Sequence, residues 1–310
     1  MLSTLNILLA AGAVFGQVSA AATTGRHPFK GHHGGKHHHT GWNVTTPGAP
    51  QPTELLVESS SPTQDISARV DYWKPAVGAT WQIELINVVS DTSYNAEIFD
   101  FDMFDNPAST ITKLHSLNRK VICYFSAGTY EDWRSDKGSF QAADLGAAME
   151  DWEGESWLDT NSANVRKIMT ARIALAKSKG CDAIDPDNVD AYNNENGLNL
   201  TPEDAVDYLT FLAGEAHSRG MSIGLKNAAE IVPTMLPIMD FLVNESCIEW
   251  TECPSFSPFI AAGKPVFHIE YPPGAGDKIS ASQKKKSCAA PAGFSTVLKK
   301  LDLDAWIELC

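Results

Sequence analysis

Residues 180–192 read Gly-Cys-Asp-Ala-Ile-Asp-Pro-Asp-Asn-Val-Asp-Ala-Tyr, which places four aspartates within nine positions. They come directly after a segment with apolar periodicity, Val165 to Ala176. Ionised carboxylates this close repel one another and resist burial. Such a cluster therefore indicates a metal site, acid–base chemistry or a solvated loop, and the positions of the other polar residues have to decide between them.

Short apolar or β-branched runs alternate with helical stretches from Asp71 onward. Eight runs are predicted strands: Trp81 to Ile86, Glu97 to Phe101, Val121 to Phe125, Asp182 to Pro186, Met221 to Leu225, Phe241 to Val243, Val266 to Ile269 and Ser295 to Leu298. A helix start is predicted at Thr201-Pro202-Glu203-Asp204 and its end at Gly220. The alternation predicts an α/β protein with a (β/α)8 TIM barrel. A doubly wound open sheet is the alternative, but no glycine-rich phosphate loop follows the first strand.

The chain of 310 residues, 43% of them apolar, is long enough for one such barrel. We expect a signal peptide over residues 1–20, a disordered linker over residues 21–68 and the barrel over residues 69–310. The leader ends in a signal-peptidase-like Val18-Ser19-Ala20 but lacks an early basic residue, so an uncleaved anchor is the second interpretation. The linker is rich in Thr, Gly, His, Pro and Ser and contains six of the nine histidines and a glycosylation sequon at Asn43.

The charge of the chain limits its partners. The sequence has 24 Lys and Arg against 38 Asp and Glu, a formal net charge of −14. Nucleic acid and anionic membranes attract basic surfaces, so neither is expected as a partner, whereas a cationic ligand would be attracted. We expect a secreted monomer without stable membrane insertion. Six cysteines, an even number, are consistent with the oxidising environment outside the cell.

Polar side chains gather at the ends of the predicted strands, where a barrel carries its active site. They are Asp100 and Asp102 on the second strand, Ser126 on the third, Asp185 and Asp187 on the fourth, Lys226 and Asn227 on the fifth, Glu245 on the sixth, and Glu270 and Tyr271 on the seventh. Strand alternation lets Asp187 and Glu245 both point inward, and His268 is expected to point inward with Glu270. Two carboxylates on different strands that face one pocket are the minimum for glycoside hydrolysis.

A metal site is the rival interpretation of the aspartates, because Asp-x-Asp sequences offer oxygen ligands to hard cations. The twelve-residue calcium loop is absent from the sequence, and the folded part has no HExxH or paired histidine spacing, so we predict neither a metal nor a cofactor. Aromatic residues favour a sugar-binding pocket, because their faces stack on sugar rings. These are Tyr130, Trp133, Trp152 and Trp157 after the third strand, then Tyr192, Trp250 and Tyr271; Trp152 is expected to cap the core instead.

Three blocks of the sequence resemble a known family. They are Tyr124-Phe125-Ser126-Ala127-Gly128-Thr129-Tyr130-Glu131-Asp132-Trp133-Arg134; Gly180-Cys181-Asp182-Ala183 leading into Pro186-Asp187-Asn188-Val189-Asp190-Ala191-Tyr192; and Asn244-Glu245. The chain, over about Tyr72 to Pro272, resembles the endo-α-1,4-polygalactosaminidases of glycoside hydrolase family 114. The resemblance implies a (β/α)8 barrel that hydrolyses α-1,4 linkages in galactosamine-containing polysaccharide, a cationic polymer.

The resemblance also implies roles for single residues. Asp187 and Glu245 match the catalytic carboxylates, while Glu131, Arg134, Trp157 and Asp190 match positions that support or line the pocket. Tyr124 and Ser126, in the first of the three blocks, are also expected to contact the substrate. Asp185 departs from the bacterial members, which often carry an apolar residue there. We assign Asp187 as nucleophile or base and Glu245 as acid, with the reverse assignment open, as is the choice between retention and inversion.

The cysteines and the competing functions complete the expectations. Cys247 with Cys253, and Cys288 with Cys310, bracket short segments and are predicted local disulfides; Cys123 and Cys181 would lie on neighbouring strands as a disulfide or as two thiols. Three other functions stay open: a non-catalytic carbohydrate-binding surface protein, a hydrolase of another α-linked galactose-type glycan, and a metal-dependent deacetylase.

Overall fold

A computed structural model describes residues 71–150 and 152–310 of the chain. The expected signal peptide over residues 1–20 lies outside the described residues, as does the expected linker over residues 21–68 with its histidines and the sequon at Asn43. No helix within the described ranges is long and apolar enough to cross a membrane.

Twelve strands and seven α-helices make up the described part of the chain. The strands are β1 (Trp81–Glu84), β2 (Ile98–Asp102), β3 (Lys120–Ser126), β4 (Thr129–Glu131), β5 (Leu145–Ala148), β6 (Glu155–Leu158), β7 (Ala183–Asp187), β8 (Ser222–Lys226), β9 (Phe241–Glu245), β10 (Val266–Glu270), β11 (Phe294–Leu298) and β12 (Glu308–Leu309). The helices are α1 (Ala108–Ser116), α2 (Ala163–Lys179), α3 (Pro202–Ser218), α4 (Val232–Met235), α5 (Cys247–Trp250), α6 (Ser257–Ala261) and α7 (Ala281–Ser287).

Eight parallel strands form the barrel in the order β1-β2-β3-β7-β8-β9-β10-β11, and β12 adds to β11 in the antiparallel direction. Side chains join the first barrel strand to the last: Trp81 Nε1 donates to the Ser295 carbonyl oxygen at 2.8 Å, and Ser295 Oγ donates to the Ala79 carbonyl oxygen at 2.8 Å. All eight predicted strands are present, within a few residues of their expected bounds. The prediction of a (β/α)8 barrel is confirmed.

Alternate residues of the barrel strands face opposite sides, as the strand geometry requires. Ala183 and Val243 belong to the apolar cluster inside the barrel, whereas Leu242 packs in the layer between strands and helices. The same alternation directs Asp187 and Glu245, at the ends of β7 and β9, to the inside. The last side chains of β7 and β9 therefore both lie at the same open end of the barrel.

Local capping explains how the two long helices begin and end around β7. Ser162 caps the start of α2, and Gly180, at φ +101°, ends it in the left-handed region that glycine adopts without strain. Thr201 and Asp204 form the predicted capping box of α3, with Pro202 as its first residue. These capping residues set where α2 ends and where α3 begins, and therefore how many residues separate β7 from each of the two helices.

A small antiparallel sheet with strand order β4-β6-β5 is inserted between β3 and α2. It follows the carboxyl end of β3, so it stands beside the mouth of the barrel and carries Glu131, Glu155 and Trp157. Three disulfides complete the structure: Cys247–Cys253, Cys288–Cys310 and the interstrand pair Cys123–Cys181. Both local pairings are confirmed, and the open alternative for the third pair is decided in favour of the disulfide.

Candidate active site

A cleft of about 730 Å³ opens at the carboxyl ends of the barrel strands. Nine of the residues predicted for the site line it: Asp187, Glu245, Tyr124, Glu131, Trp157, Asp190, Lys226, Asn227 and Tyr271. Six others do not: Asp100, Ser126, Arg134, Asp185, Tyr192 and Glu270. The structure therefore brings together the proposed carboxylate pair and most of its expected neighbours.

Asp187 ends β7 and is held by donors on several sides. Tyr124 Oη donates to its Oδ2 at 2.8 Å, and the backbone N–H of Asn188 donates to its Oδ1 at 2.8 Å. The ammonium of Lys226 lies 3.6 Å from the same Oδ1. With 19% of its side chain exposed to the cleft, Asp187 is both anchored and accessible. These contacts fix the orientation of its carboxylate at the cleft.

Glu245 ends β9 and faces Asp187 across the same ammonium. Tyr271 Oη donates to Glu245 Oε1, and Lys226 Nζ lies 3.4 Å from Oε2. The backbone N–H of Glu245 donates to Asn227 Oδ1 at 2.9 Å, which fixes the strand end. At 28% exposure its side chain is the more accessible of the two carboxylates.

Lys226 is the shared cation of the site, and only 2% of its side chain is exposed. Burial opposes its charge, but the surrounding carboxylates, led by Asp187 and Glu245, outweigh that effect and raise its pKa well above the ordinary value. Because both carboxylates contact the same nitrogen atom, their contacting oxygens lie within roughly 7 Å of each other. This proximity is compatible with the carboxyl spacing of retaining glycosidases and with that of inverting ones.

Asp185 and Asp100 lie beneath the cleft floor instead of in the cleft. Both are fully buried, and their oxygens have no hydrogen-bond partner in the described part of the chain; the nearest charge to Asp185 is Lys226 Nζ at 3.7 Å. Burial, then the carboxylates of Asp187 and Glu245, raises the pKa of Asp185 to about 7. Burial, then Asp185, raises the pKa of Asp100 well above its usual range. The expectation that these two residues contact substrate is therefore corrected: a buried carboxyl without donors retains its proton.

Arg134 and Ser126 are buried behind the cleft. The guanidinium of Arg134 binds Asp102 through Nη1 at 3.0 Å and Nη2 at 2.5 Å, and it binds both oxygens of Glu131 at 2.7 and 2.8 Å. Glu131 lines the cleft with its oxygens already occupied by this fork. Ser126 Oγ contacts Thr129 Oγ1 at 2.5 Å. Arg134 and Ser126 support the cleft walls and do not reach a substrate.

The direction of the side chains on β10 corrects the expectation that His268 and Glu270 point into the barrel. Ile269 belongs to the cluster inside the barrel, so His268 and Glu270 face the surrounding helices. Glu270 Oε1 accepts the N–H of Ile248 at 2.8 Å and lies 2.9 Å from His268 Nε2. The strand register places Tyr271, one residue later, at the inward position. Neither His268 nor Glu270 reaches the cleft.

The structure also places residues in the cleft that strand-end reasoning missed. They are Met149, Glu155, Asn188, Asn193, Asn194, Glu230, Glu249, Glu252, Lys300 and Asp302. Tyr192, expected in the pocket, instead donates to Glu230 at 3.2 Å and holds that carboxylate at the rim. Trp152 lines the cleft with Trp157 and the 41% exposed Trp250, so the expectation that Trp152 caps the core is corrected. Most of these residues lie in loops or in very short elements such as β6 and α5, which carry no periodic signal.

One group of potential metal ligands occurs among the described residues: Cys247, Cys253 and His268, with their ligand atoms mutually within 4.8 Å. The two cysteines are joined as a disulfide, so they are not thiolates in this state. This cluster lies on the outer side of β10, away from the carboxylate pair.

An eight-stranded barrel with a carboxylate pair in a long cleft at its carboxyl end defines the class of the glycoside hydrolases. The family assignment is direct. The chain belongs to the glycoside-hydrolase family GH114, whose model matches residues 62–310.

Solved structures with the same fold support the assignment. Ega3 from Aspergillus fumigatus, determined in complex with galactosamine, is 51% identical in sequence, with a TM-score of 0.76; the match covers 77% of this chain and 98% of that chain. The glycoside hydrolase domain of PelA from Pseudomonas aeruginosa is 13% identical, with a TM-score of 0.57, and the match covers 74% of this chain and 98% of that domain. The second likeness shows the shared fold alone. A comparison with curated protein sequences gave no significant match.

Proposed function

We propose that this glycoside hydrolase cleaves α-1,4 linkages in a galactosamine-containing polysaccharide, with Asp187 and Glu245 as its catalytic residues. The observation that carries the proposal is the pair itself: two accessible carboxylates at the ends of β7 and β9, both within 3.6 Å of the buried ammonium of Lys226. We further propose that the enzyme acts outside the cell, which its three disulfides and its expected signal peptide support.

The contacts of each carboxylate support a division of roles. Asp187 accepts from Tyr124 and from the N–H of Asn188, which hold its carboxylate in one orientation, as a nucleophile requires. Glu245 is the more exposed of the two, which suits the group that has to reach the leaving oxygen and then the incoming water. In the first step Asp187 forms a bond to the anomeric carbon while Glu245 gives its proton to the departing oxygen. In the second step Glu245 takes a proton from the water that displaces Asp187, which restores both groups.

The charge of the cleft supports a cationic substrate. Its lining includes the acidic residues Glu155, Asp190, Glu230, Glu249, Glu252 and Asp302 in addition to the pair, against two lysines. Free amino groups of galactosamine are positively charged at neutral pH, so they are attracted both by this lining and by the net charge of −14. Trp152, Trp157 and Trp250 add aromatic faces for sugar rings and for their ammonium groups. The galactosamine complex of the 51% identical Ega3 agrees with this substrate class.

The test is hydrolysis of partly deacetylated galactosaminan by the wild type and by Asp187→Asn and Glu245→Gln. We expect the wild type to release oligosaccharides and both variants to lose hydrolysis while retaining polymer binding. Asp207→Asn makes the same change of charge on the exposed surface of α3, outside the cleft, and should keep the activity. Binding by the wild type without cleavage would indicate a carbohydrate-binding protein, and unimpaired hydrolysis by either amide variant would exclude the proposed pair.

A further inference from the structure

The turn between β3 and β4 is hydrogen-bonded to the backbone of Asp187. The N–H groups of Ala127 and Gly128 both donate to the carbonyl oxygen of Asp187, at 2.9 and 3.0 Å. A Cβ on Gly128 would lie 1.6 Å from the carbonyl oxygen of Asn188, so only glycine permits this approach. The turn is therefore shaped to the Asp187–Asn188 peptide.

The side chain of Asn188 adds a second connection to the same turn, through a series of hydrogen bonds. Its Nδ2 donates to Ser126 Oγ at 2.9 Å, and Ser126 Oγ lies 2.5 Å from Thr129 Oγ1. Thr129 Oγ1 donates in turn to Glu155 Oε2 at 2.8 Å. Each hydroxyl accepts from one neighbour and donates to the next, and the chain ends on a carboxylate in the cleft wall.

The turn itself is anchored by its three carbonyl oxygens. Arg172 Nη1 donates to that of Ser126 at 2.7 Å, and Tyr208 Oη donates to that of Ala127 at 2.7 Å. The N–H of Leu158 donates to that of Gly128 at 2.9 Å. Contacts from α2, α3 and the end of β6 therefore hold the turn, which makes it a rigid support.

Asn188 has a backbone conformation that needs such support. Its φ of +59° lies in the left-handed region, which asparagine tolerates better than most residues. In this conformation its N–H points at Asp187 Oδ1, at 2.8 Å. This one backbone conformation therefore both directs the Asn188 side chain to Ser126 and Thr129 and orients its N–H toward Asp187.

We propose that Asn188 is a positioning residue for the reaction: the Ser126–Thr129–Glu155 chain holds its side chain, and this fixes the N–H that orients the Asp187 carboxylate. The inference rests on the proposed role of Asp187. Loss of a hydrogen bond to a charged group reduces the rate about 10- to 100-fold when the bond orients the reacting atom.

The experiment compares Asn188→Gly, which keeps the left-handed backbone, with Thr129→Val, which keeps the shape of the side chain but removes its hydroxyl. Thr160→Val is the matched control, because Thr160 is also buried but takes no part in the Ser126–Thr129–Glu155 hydrogen bonds. On partly deacetylated galactosaminan we expect kcat to fall about 10- to 100-fold in both variants, with KM nearly unchanged. The double variant should lose no more than the worse single variant, and Thr129→Ser should restore activity.

Two results would overturn the inference. One is a loss of activity that a fall in melting temperature accounts for, or that appears in KM and not in kcat. The other is wild-type activity in Thr129→Val. Failure of the proposed function itself is recognised separately, because Asp187→Asn would then remain active.

Discussion

Replacement of Lys226 by methionine tests the central feature of the site, the one ammonium shared by two carboxylates. Methionine keeps the length and burial of the side chain but removes its charge. At an effective dielectric constant of about 20, unit charges 3.4 to 3.6 Å apart attract by about 5 kcal/mol. Both carboxylates are partly exposed, so solvent screens a large part of this energy.

We expect Lys226→Met to lower kcat/KM by about 10- to 100-fold, because without the ammonium the two carboxylates repel each other and lose the contact that holds them together. The assay is the release of reducing ends from partly deacetylated galactosaminan, with circular dichroism to confirm folding. Lys299→Met is the control: Lys299 is also buried, but its ammonium binds Gln82 Oε1 and the Asp304 carbonyl oxygen, not the pair. Wild-type kcat/KM in a folded Lys226→Met enzyme would refute the electrostatic role of the ammonium.

Four further outcomes are expected. Asp185→Asn should flatten the decrease of unfolding free energy between about pH 4 and 7. Burial raises the pKa of Asp185 to about 7, so across that range the fold retains a proton that the unfolded chain has released, and the wild type loses stability as pH rises; equal slopes in urea titrations would contradict this. Mild reduction of Cys247–Cys253 should lower activity below the unfolding temperature, because the disulfide closes the loop after Glu245, whereas joint loss of activity and fold would argue against it. Added salt should lower kcat/KM on the cationic polymer more than on a neutral acetylated oligomer, since screening at 0.1 M salt limits the range of charge attraction to about 10 Å. Equal sensitivity of the two substrates to salt would exclude electrostatic capture. The first product seen by proton NMR should retain the anomeric configuration of the substrate, and an inverted anomer would reject Asp187 as nucleophile.

Much of the fold could be predicted from the sequence because its signals are local. Periodicity located the eight barrel strands, and the capping box at Thr201 and Asp204 located α3 without any knowledge of packing. The polar residues at the strand ends indicated which mouth of the barrel carries the site, because parallel strands bring their carboxyl ends to one side. The matched blocks singled out Asp187 and Glu245 from the other carboxylates.

Depth and register in the barrel could not be predicted from the same signals. Asp185 and Asp187 share a face of β7, yet one lies under the floor and the other in the cleft, because the distance of a side chain from the mouth depends on the stagger of neighbouring strands. Glu270 was expected inside and lies outside, because a shift of one residue in a strand reverses the direction of its side chain. Glu230 reaches the cleft from a loop, where no periodic pattern exists.

The sequence by itself determined the strand and helix order, the acidic character of the protein and the carboxylates offered at the strand ends, since all of these follow from local propensity and composition. Only the tertiary structure decided how those carboxylates are used. It joined Cys123 to Cys181, buried Lys226 between Asp187 and Glu245, and closed the β3–β4 turn around the Asp187 backbone. Each of these contacts joins residues that are distant in the chain, so it exists only once the barrel has closed.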